Sequence, residues 1–156
     1  MADLINENQE TADSSKPNDA IFARFKAERD EWTGKVRDMS QRMRNIYDLA
    51  DLQVDLYSNR QICADYTHTL MTHLTKINRI FREKKIERWE HYTRNYDLRM
   101  DKDPKELHIY VDMADIVERK DYVQNHLEFF RETIRTIDSM CYGVKHRMAL
   151  EEYKRG

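Results

Sequence analysis

Glycine, proline and cysteine are all scarce in this chain of 156 residues, which contains three glycines, two prolines and two cysteines. Turn-rich β proteins use glycine and proline at many turns, so this composition argues against that class. Two cysteines are also too few for the dense disulfide framework of a small secreted domain. Cys63 and Cys141 lie within helical patterns, and we expect reduced, buried thiols there rather than a disulfide.

Long apolar runs are absent as well. No run approaches the roughly 20 residues that a helix needs to cross a bilayer. The first residues also lack the basic region and apolar core of a signal peptide. We therefore expect an intracellular protein with no membrane partner.

What the chain does contain is charge and hydrophobic residues together. Charged residues make up 36% of it and the mean hydropathy is -0.94, yet hydrophobic residues reach 40%. This combination is typical of long helices with narrow apolar stripes. The predicted fold is all-α, with one short strand or hairpin at most. It consists of a long helical hairpin followed by a coiled-coil-type oligomerisation helix.

The predicted organisation is a disordered acidic tail at residues 1–18 and a single helical domain at residues 19–156. The tail has almost no large apolar residues with which to offset the entropy cost of ordering. Asp19 is the expected N-cap of the first helix. After it, apolar residues recur every three, four or seven positions as far as Ile46, which predicts one apolar stripe.

A second helix follows a break. The apolar positions shift phase after Ile46, so we expect a bend or break at 47–58, with Ser58 or Asn59 as the next N-cap. Helical spacing then continues to about residue 93. Two long helices joined by a short connection favour an αα-hairpin.

The region after the hairpin is the least regular. Residues 94–105 contain Asp103-Pro104 and no apolar stripe, which predicts a loop. Apolar residues then alternate with polar ones over 107–113, which is the pattern of a strand. A real strand and a merely extended segment are equally compatible with this pattern. Asp115, followed by Glu118, is the expected start of the last helix.

The last helix, predicted over 115–154, carries the clearest periodicity in the chain. Its apolar residues are spaced alternately by four and three positions, which indicates a coiled-coil seam. We expect this seam to join several chains, although it could instead pack only on the chain's own hairpin. The predicted oligomerisation residues are Val123, Leu127, Phe130, Ile134, Ile137, Cys141, Val144 and Met148.

Basic charge is concentrated in one segment, residues 76–105. It holds ten Lys and Arg against six Asp and Glu, although the whole chain has a net charge of -2. Cations neutralise phosphates and aromatic rings stack on unpaired bases, so this mixture suits single-stranded DNA. The alternative is a solvated helix face, because nearby glutamates could pair with the bases. The predicted DNA-binding residues are Lys76, Arg79, Arg82, Lys84, Lys85, Arg88, Trp89, Tyr92 and Arg94.

Motifs for catalysis or metal binding are not found. The six histidines form no pair at helical spacing, and there is no Cys-x-x-Cys. No glycine-rich phosphate loop is present. We expect no enzyme activity, no bound metal and no cofactor.

Three parts of the chain carry a pattern that is similar to a known family. Two of them are Leu56-Tyr57-Ser58 and Arg88-Trp89-x-x-Tyr92. The third is the C-terminal set Ile137, Ser139, Tyr142, Val144, Lys145, His146, Tyr153 and Gly156. In these residues the chain resembles the UvsY recombination mediator family of tailed bacteriophages, and the resemblance covers about residues 50–156.

The resemblance implies a helical protein that assembles into a ring of six to eight copies through its C-terminal helix. It implies binding to single-stranded DNA and contacts with a RecA-like recombinase and the phage single-strand-binding protein. The role would be to load the recombinase onto covered strands, in the cytoplasm of the infected bacterial host.

One departure from the family concerns DNA binding. Members of the family carry a Lys-x-Arg pair in the basic helix. Arg88 matches the arginine, but Ile86 occupies the position of the lysine. The resemblance therefore implies a DNA contact distributed differently over the basic segment.

Overall fold

The computed structural model of this chain describes residues 16–95 and 101–156. Within these two ranges the protein is helical and has no strand, so the predicted all-α class is confirmed. A 3₁₀ turn precedes the second helix, and a π-helical turn extends it. The elements in order are α1 (Asp19–Arg42), the 3₁₀ turn (Ile46–Asp48), α2 (Leu49–Glu90), the π turn (His91–Asn95), α3 (Lys102–Asp112) and α4 (Ala114–Arg155).

The two longest helices, α2 and α4, pack against each other in antiparallel orientation along most of their length. Near one end Arg60 Nε lies 2.5 Å from Asp138 Oδ1. Towards the other end Lys120 Nζ lies 5.9 Å from the centre of the Phe81 ring. Helix α1 packs against both, and the result is a three-helix bundle.

The core lies along the line where α1, α2 and α4 meet. Helix α1 contributes one residue every seven, because a heptad returns a side chain to nearly the same face. Full burial of each large apolar side chain stabilises the fold by roughly 1.5–3 kcal/mol. The buried core residues of α1 are Phe25, Trp32 and Met39, those of α2 include Leu52, Leu56, Leu70 and Ile77, and those of α4 include Leu127, Phe130, Ile137 and Val144.

The start of α1 is anchored to α4 by Asn18, whose side chain is buried. Its Nδ2 donates to the backbone oxygen of Asp115 at 2.8 Å and to Glu118 Oε2 at 2.9 Å. Asn18, and not Asp19, occupies the N-cap position of α1. Of the predicted tail, the structure describes residues 16–18 and places Asn18 against α4, whereas residues 1–15 lie outside the described part.

The turn between α1 and α2 lies earlier than predicted, at residues 43–48. Arg42 stabilises it, because its guanidinium pairs with Asp48 and Asp55, each at 2.6 Å. Ser58 and Asn59 lie inside α2 and do not cap it. The apolar positions shift phase after Ile46 because of this turn, and there is no break inside α2.

The structure has helix α3 where the end of a loop over 94–105 and a strand over 107–113 were predicted. In a helix, Ile109 and Met113 share one face, and Leu107 and Val111 share the opposite one. The structure buries the first pair and exposes the second. The apolar residues that alternate over 107–113 therefore belong to two opposite faces of one helix. Pro104 does not prevent this, because proline is tolerated in the first turn of a helix.

Helix α4 begins one residue before the predicted cap. Met113 occupies the N-cap position without a side-chain hydrogen bond, so the prediction of Asp115 as N-cap is wrong. Asp115 instead lies in the first turn, where a negative charge interacts favourably with the helix dipole. The N–H groups of Ile116 and Val117 both bond to the Met113 oxygen, so α3 and α4 meet at a sharp junction.

Candidate nucleic-acid interface

A stripe of exposed basic and aromatic side chains runs along the last third of α2. Successive residues of a helix are rotated by about 100°. Counted this way, Arg79, Arg82, Lys85 and Trp89 fall within roughly one third of the helix circumference. Arg79 and Arg82 face away from buried Ile77, and Lys85 lies nearest to its side. All four are exposed, Trp89 least so, at 36%. We call these four residues the cationic stripe.

The structure does not bring all nine predicted DNA-binding residues together. Lys76 is exposed but lies on another side of α2. Lys84 faces the start of α4, where it lines a small apolar pocket of about 220 Å³ with Ile116 and Arg119. Arg94 is exposed in the π turn beyond α2. The predicted set therefore divides into a stripe and several separate cations.

Charges of opposite sign are partly segregated around α2. Glu83, Glu87 and Glu90 lie on the side of Arg79 and are rotated by at least about 80° from Arg82 and Lys85, by the same helical count. Of the stripe, Arg79 approaches Glu83 at 3.9 Å, an exposed pair that contributes little. Among residues 16–95 and 101–156, no ion pair within 4 Å is formed by Lys76, Arg82, Lys84, Lys85 or Arg94, so these cations are available to a phosphate.

Arg88 and Tyr92 are engaged in holding α3. Arg88 Nε lies 3.7 Å from Asp112 Oδ2, and the Tyr92 hydroxyl donates to the same oxygen at 2.7 Å. The Tyr92 ring also lies 5.6 Å from the His108 ring. Both predicted DNA-binding residues are therefore half-buried links between α2 and α3 in this structure.

Trp89 is covered on one side by a lysine that the sequence did not single out. Lys105 Nζ lies 4.9 Å from the Trp89 ring centre and donates to Thr93 Oγ1 at 3.1 Å. A cation over an aromatic face is favourable, and it adds positive charge beside the stripe. Lys105 closes the basic segment in sequence, but nothing in the sequence placed it against Trp89.

The predicted oligomerisation residues are placed in the chain's own core. Six of the eight are buried, and the other two, Ile134 and Met148, are partly buried against the same cluster. This corrects the interpretation of the stripe as a seam between chains. The stripe on α4 is covered by both α1 and α2 of the same chain. The buried six are Val123, Leu127, Phe130, Ile137, Cys141 and Val144.

A buried polar cluster links the three helices near the middle of the bundle. His126 Nε2 lies 2.7 Å from Glu28 Oε2, and the Tyr66 hydroxyl donates to that oxygen at 2.5 Å. His126 is completely buried and stacks on Phe25, and its Nδ1 has no hydrogen-bond partner within the described part of the chain. Because solvent does not reach the imidazole, the cluster stabilises helix packing and offers no open site to a substrate.

The ionisable members of that cluster are strongly perturbed. Burial alone would raise the pKa of the Glu28 carboxyl. Hydrogen bonds from His126, Tyr66 and Arg24 outweigh burial and lower the pKa from its ordinary value of 4.5 to about 2. Burial and the bond to Glu28 both raise the pKa of the Tyr66 hydroxyl. Glu28 is therefore held as a carboxylate.

Other kinds of site are not found in the described residues. Within 16–95 and 101–156, no group of three or more His, Cys, Asp and Glu could hold a metal ion. No helix in those ranges is long and apolar enough to cross a membrane. Cys63 and Cys141 are both free and buried, as predicted. Burial raises the pKa of the Cys63 thiol to about 12, which makes it a weak nucleophile.

Comparison with known proteins identifies no relative of this chain. No protein-family model, no curated protein and no solved structure matches the chain.

Proposed function

We propose that this protein binds single-stranded DNA through the cationic stripe and acts as a recombination mediator. The observation that carries the proposal is the exposed end of α2, where Arg82 and Lys85 have no acidic partner among the described residues and lie beside exposed Trp89. Such cations release counterions when they meet phosphates. An exposed aromatic ring offers a stacking surface that any unpaired base can use, at about 1–3 kcal/mol per base.

Single-stranded DNA fits this surface better than duplex. In a duplex the base faces are stacked inside the helix, so the Trp89 ring would have nothing to stack on. The stripe is also short and carries only three cations, whereas duplex-binding helices add base-edge contacts in the major groove. One copy of the stripe would consequently bind weakly.

Multiple copies would turn this weak contact into a firm one. Linking several sites on one assembly can raise the overall affinity by roughly a hundredfold or more without any new contact. The proposal therefore includes self-assembly, with six to eight copies in a ring. Since the α4 stripe is occupied within each chain, assembly has to use other side chains. Those exposed on α3, Leu107, Tyr110 and Val111, each more than 60% exposed, are available for it.

The place in recombination rests on the resemblance to the UvsY family. By that resemblance, the partners are a RecA-like recombinase and the single-strand-binding protein of a phage, in the cytoplasm of the infected host. The chain would weaken the hold of the single-strand-binding protein on DNA and present the strand to the recombinase. No cofactor or catalytic step is part of this proposal.

A salt titration with fluorescent oligo-dT tests the DNA-binding part. The wild-type affinity should fall with salt on a log–log plot, at about -0.7 for each phosphate contacted. The double variant Arg82→Glu/Lys85→Glu should bind more weakly and with a slope shallower by about 1.4, because two contacts are lost. Its matched control is Lys26→Glu/Arg37→Glu, which reverses two exposed charges on α1. Equal slopes for both variants would exclude the stripe as the binding surface.

A protein adaptor without DNA binding is the second candidate. The exposed apolar face of α3 favours it, because large apolar side chains grouped on a surface often mark contacts with another protein. The same titration separates the two functions. An adaptor would show no oligonucleotide binding even at low salt.

A further inference from the structure

A groove between α2 and α4 continues from the cationic stripe. It has a volume of about 410 Å³ and opens to solvent on one side. Met71, Leu74 and Leu127 line its apolar part, which we call its floor, and polar atoms make up the larger part of its surface. Three amide side chains, Asn78, Gln124 and Asn125, stand around it. The groove therefore combines an apolar surface with several hydrogen-bonding edges.

The amides of the groove are free to bind. Within the described residues, Asn78, Gln124 and Asn125 form no side-chain hydrogen bond. Each amide presents both a donor and an acceptor. Charge in the groove is balanced within α4, since the Glu128 carboxylate pairs with Arg131 at 3.6 Å and Arg135 at 3.9 Å. The groove thus suits a neutral ligand with a hydrogen-bonding edge better than a phosphate.

The groove and the stripe lie on the same side of α2. At about 100° per residue, Met71, Asn78, Arg82 and Trp89 fall within roughly 40° of one another. At 1.5 Å per residue, Asn78 lies only about 6 Å along the axis from Arg82. A strand whose phosphates contact Arg82 and Lys85 would therefore have bases within reach of the groove.

We propose that this groove holds a nucleobase of the bound strand, and the inference rests on the proposed DNA binding. A base is a flat apolar ring with a polar edge, which matches the floor and the amides of the groove. Asparagine and glutamine side chains pair well with the edge of adenine, whose N6 donates and N7 accepts. The protein thus prefers adenine-containing strands over strands that lack bases.

The test compares two fluorescent oligonucleotides of equal length, oligo-dA and an abasic strand, on the full chain. Wild type should bind oligo-dA at least fivefold more tightly than the abasic strand, which is about 1 kcal/mol. The variant Asn78→Ala/Gln124→Ala should show a smaller preference, because only stacking on Trp89 then favours a strand with bases, and it should keep its affinity for the abasic strand. Alanine is a good helix former, so these substitutions preserve α2 and α4. Circular dichroism verifies that the helices remain.

The control variant is Gln41→Ala, which removes an exposed amide near the end of α1, far from the groove. It should bind both strands like wild type. Binding of both strands by wild type, together with an unchanged base preference in Asn78→Ala/Gln124→Ala, would overturn the groove proposal alone. An equal loss for both strands in that variant would also overturn it. No binding of either strand by wild type would overturn the proposed function itself.

Discussion

Replacing Glu28 by glutamine tests the buried polar cluster most directly. The substitution keeps the shape of the side chain but removes its charge. The oxygen that accepts from His126 Nε2 and the Tyr66 hydroxyl becomes a weaker acceptor. The other carboxylate oxygen, Glu28 Oε1, accepts from Arg24 Nε at 3.0 Å. In the glutamine variant the amide NH₂ group would take the place of this oxygen, so that two donors would face each other. We expect Glu28→Gln to fold and to be markedly less stable.

The magnitude follows from the perturbed pKa. Glu28 has a pKa of about 2 in the folded protein, against an ordinary value of 4.5. At about 1.4 kcal/mol for each pKa unit, this preference for the charged form corresponds to about 3 kcal/mol. Solvent screens this carboxylate only weakly, because the Glu28 side chain is 24% exposed. That is a large share of a typical folding free energy of about 5–15 kcal/mol.

The sign of the pH dependence follows from the same numbers. A carboxyl whose pKa is lower in the folded state stabilises the fold while it is ionised. This contribution is complete above about pH 4.5 and is lost as the pH falls towards 2. The free-energy difference between wild type and Glu28→Gln should therefore be largest near neutral pH and shrink progressively below pH 4.5.

Urea unfolding at pH 7, 4.5, 3 and 2, followed by circular dichroism, measures this difference. Glu31→Gln is the control on the same helix. It removes an exposed partner of Lys35 and should cost less than about 1 kcal/mol at any pH. A difference between wild type and Glu28→Gln that stays constant from pH 7 to 2 would refute the assignment of the carboxylate as the source of this stability.

Three further predictions concern packing. Ile137→Asp places a charge where the side chain is fully buried, so it should destabilise the single chain by at least about 4 kcal/mol, seen as lost helicity and not merely as reduced assembly mass. Gly143→Ala should change the unfolding free energy by less than about 1 kcal/mol, since the gain in helix propensity is offset where the new Cβ meets the mobile end of Met43. At pH 8, Cys63 should react with a thiol reagent at least tenfold more slowly in the folded protein than in the protein unfolded in urea, because burial raises the pKa of its thiol to about 12.

The α3 region shows where pattern analysis fails. A strand with alternating apolar residues and a helix with apolar residues on two opposite faces place those residues at the same positions over 107–113. Only the burial of Ile109 and Met113, with Leu107 and Val111 exposed, distinguishes them. The predicted cap at Asp115 fails for a related reason. Capping signals specify a helix start to within a residue or two, and the packing of Met113 decides between neighbours.

The candidate interface was predicted in part. Composition located the basic segment, and helical geometry then selects Arg79, Arg82, Lys85 and Trp89 from it. The roles of Arg88 and Tyr92 as links to Asp112 could not be predicted, because Asp112 is twenty or more residues away in sequence and belongs to a helix that was not expected. The groove amides likewise come from two helices that meet only in the folded chain.

The amino-acid sequence by itself determined the helical class, the apolar stripes, the reduced cysteines and the location of the positive charge. These are local properties, set by residue spacing and by scarce glycine and proline. Tertiary structure alone decided what each stripe contacts. The α4 stripe satisfies the periodicity of a coiled coil, yet it is buried by α1 and α2 of the same chain. Periodicity specifies that a face must be covered, and the fold determines which helix covers it.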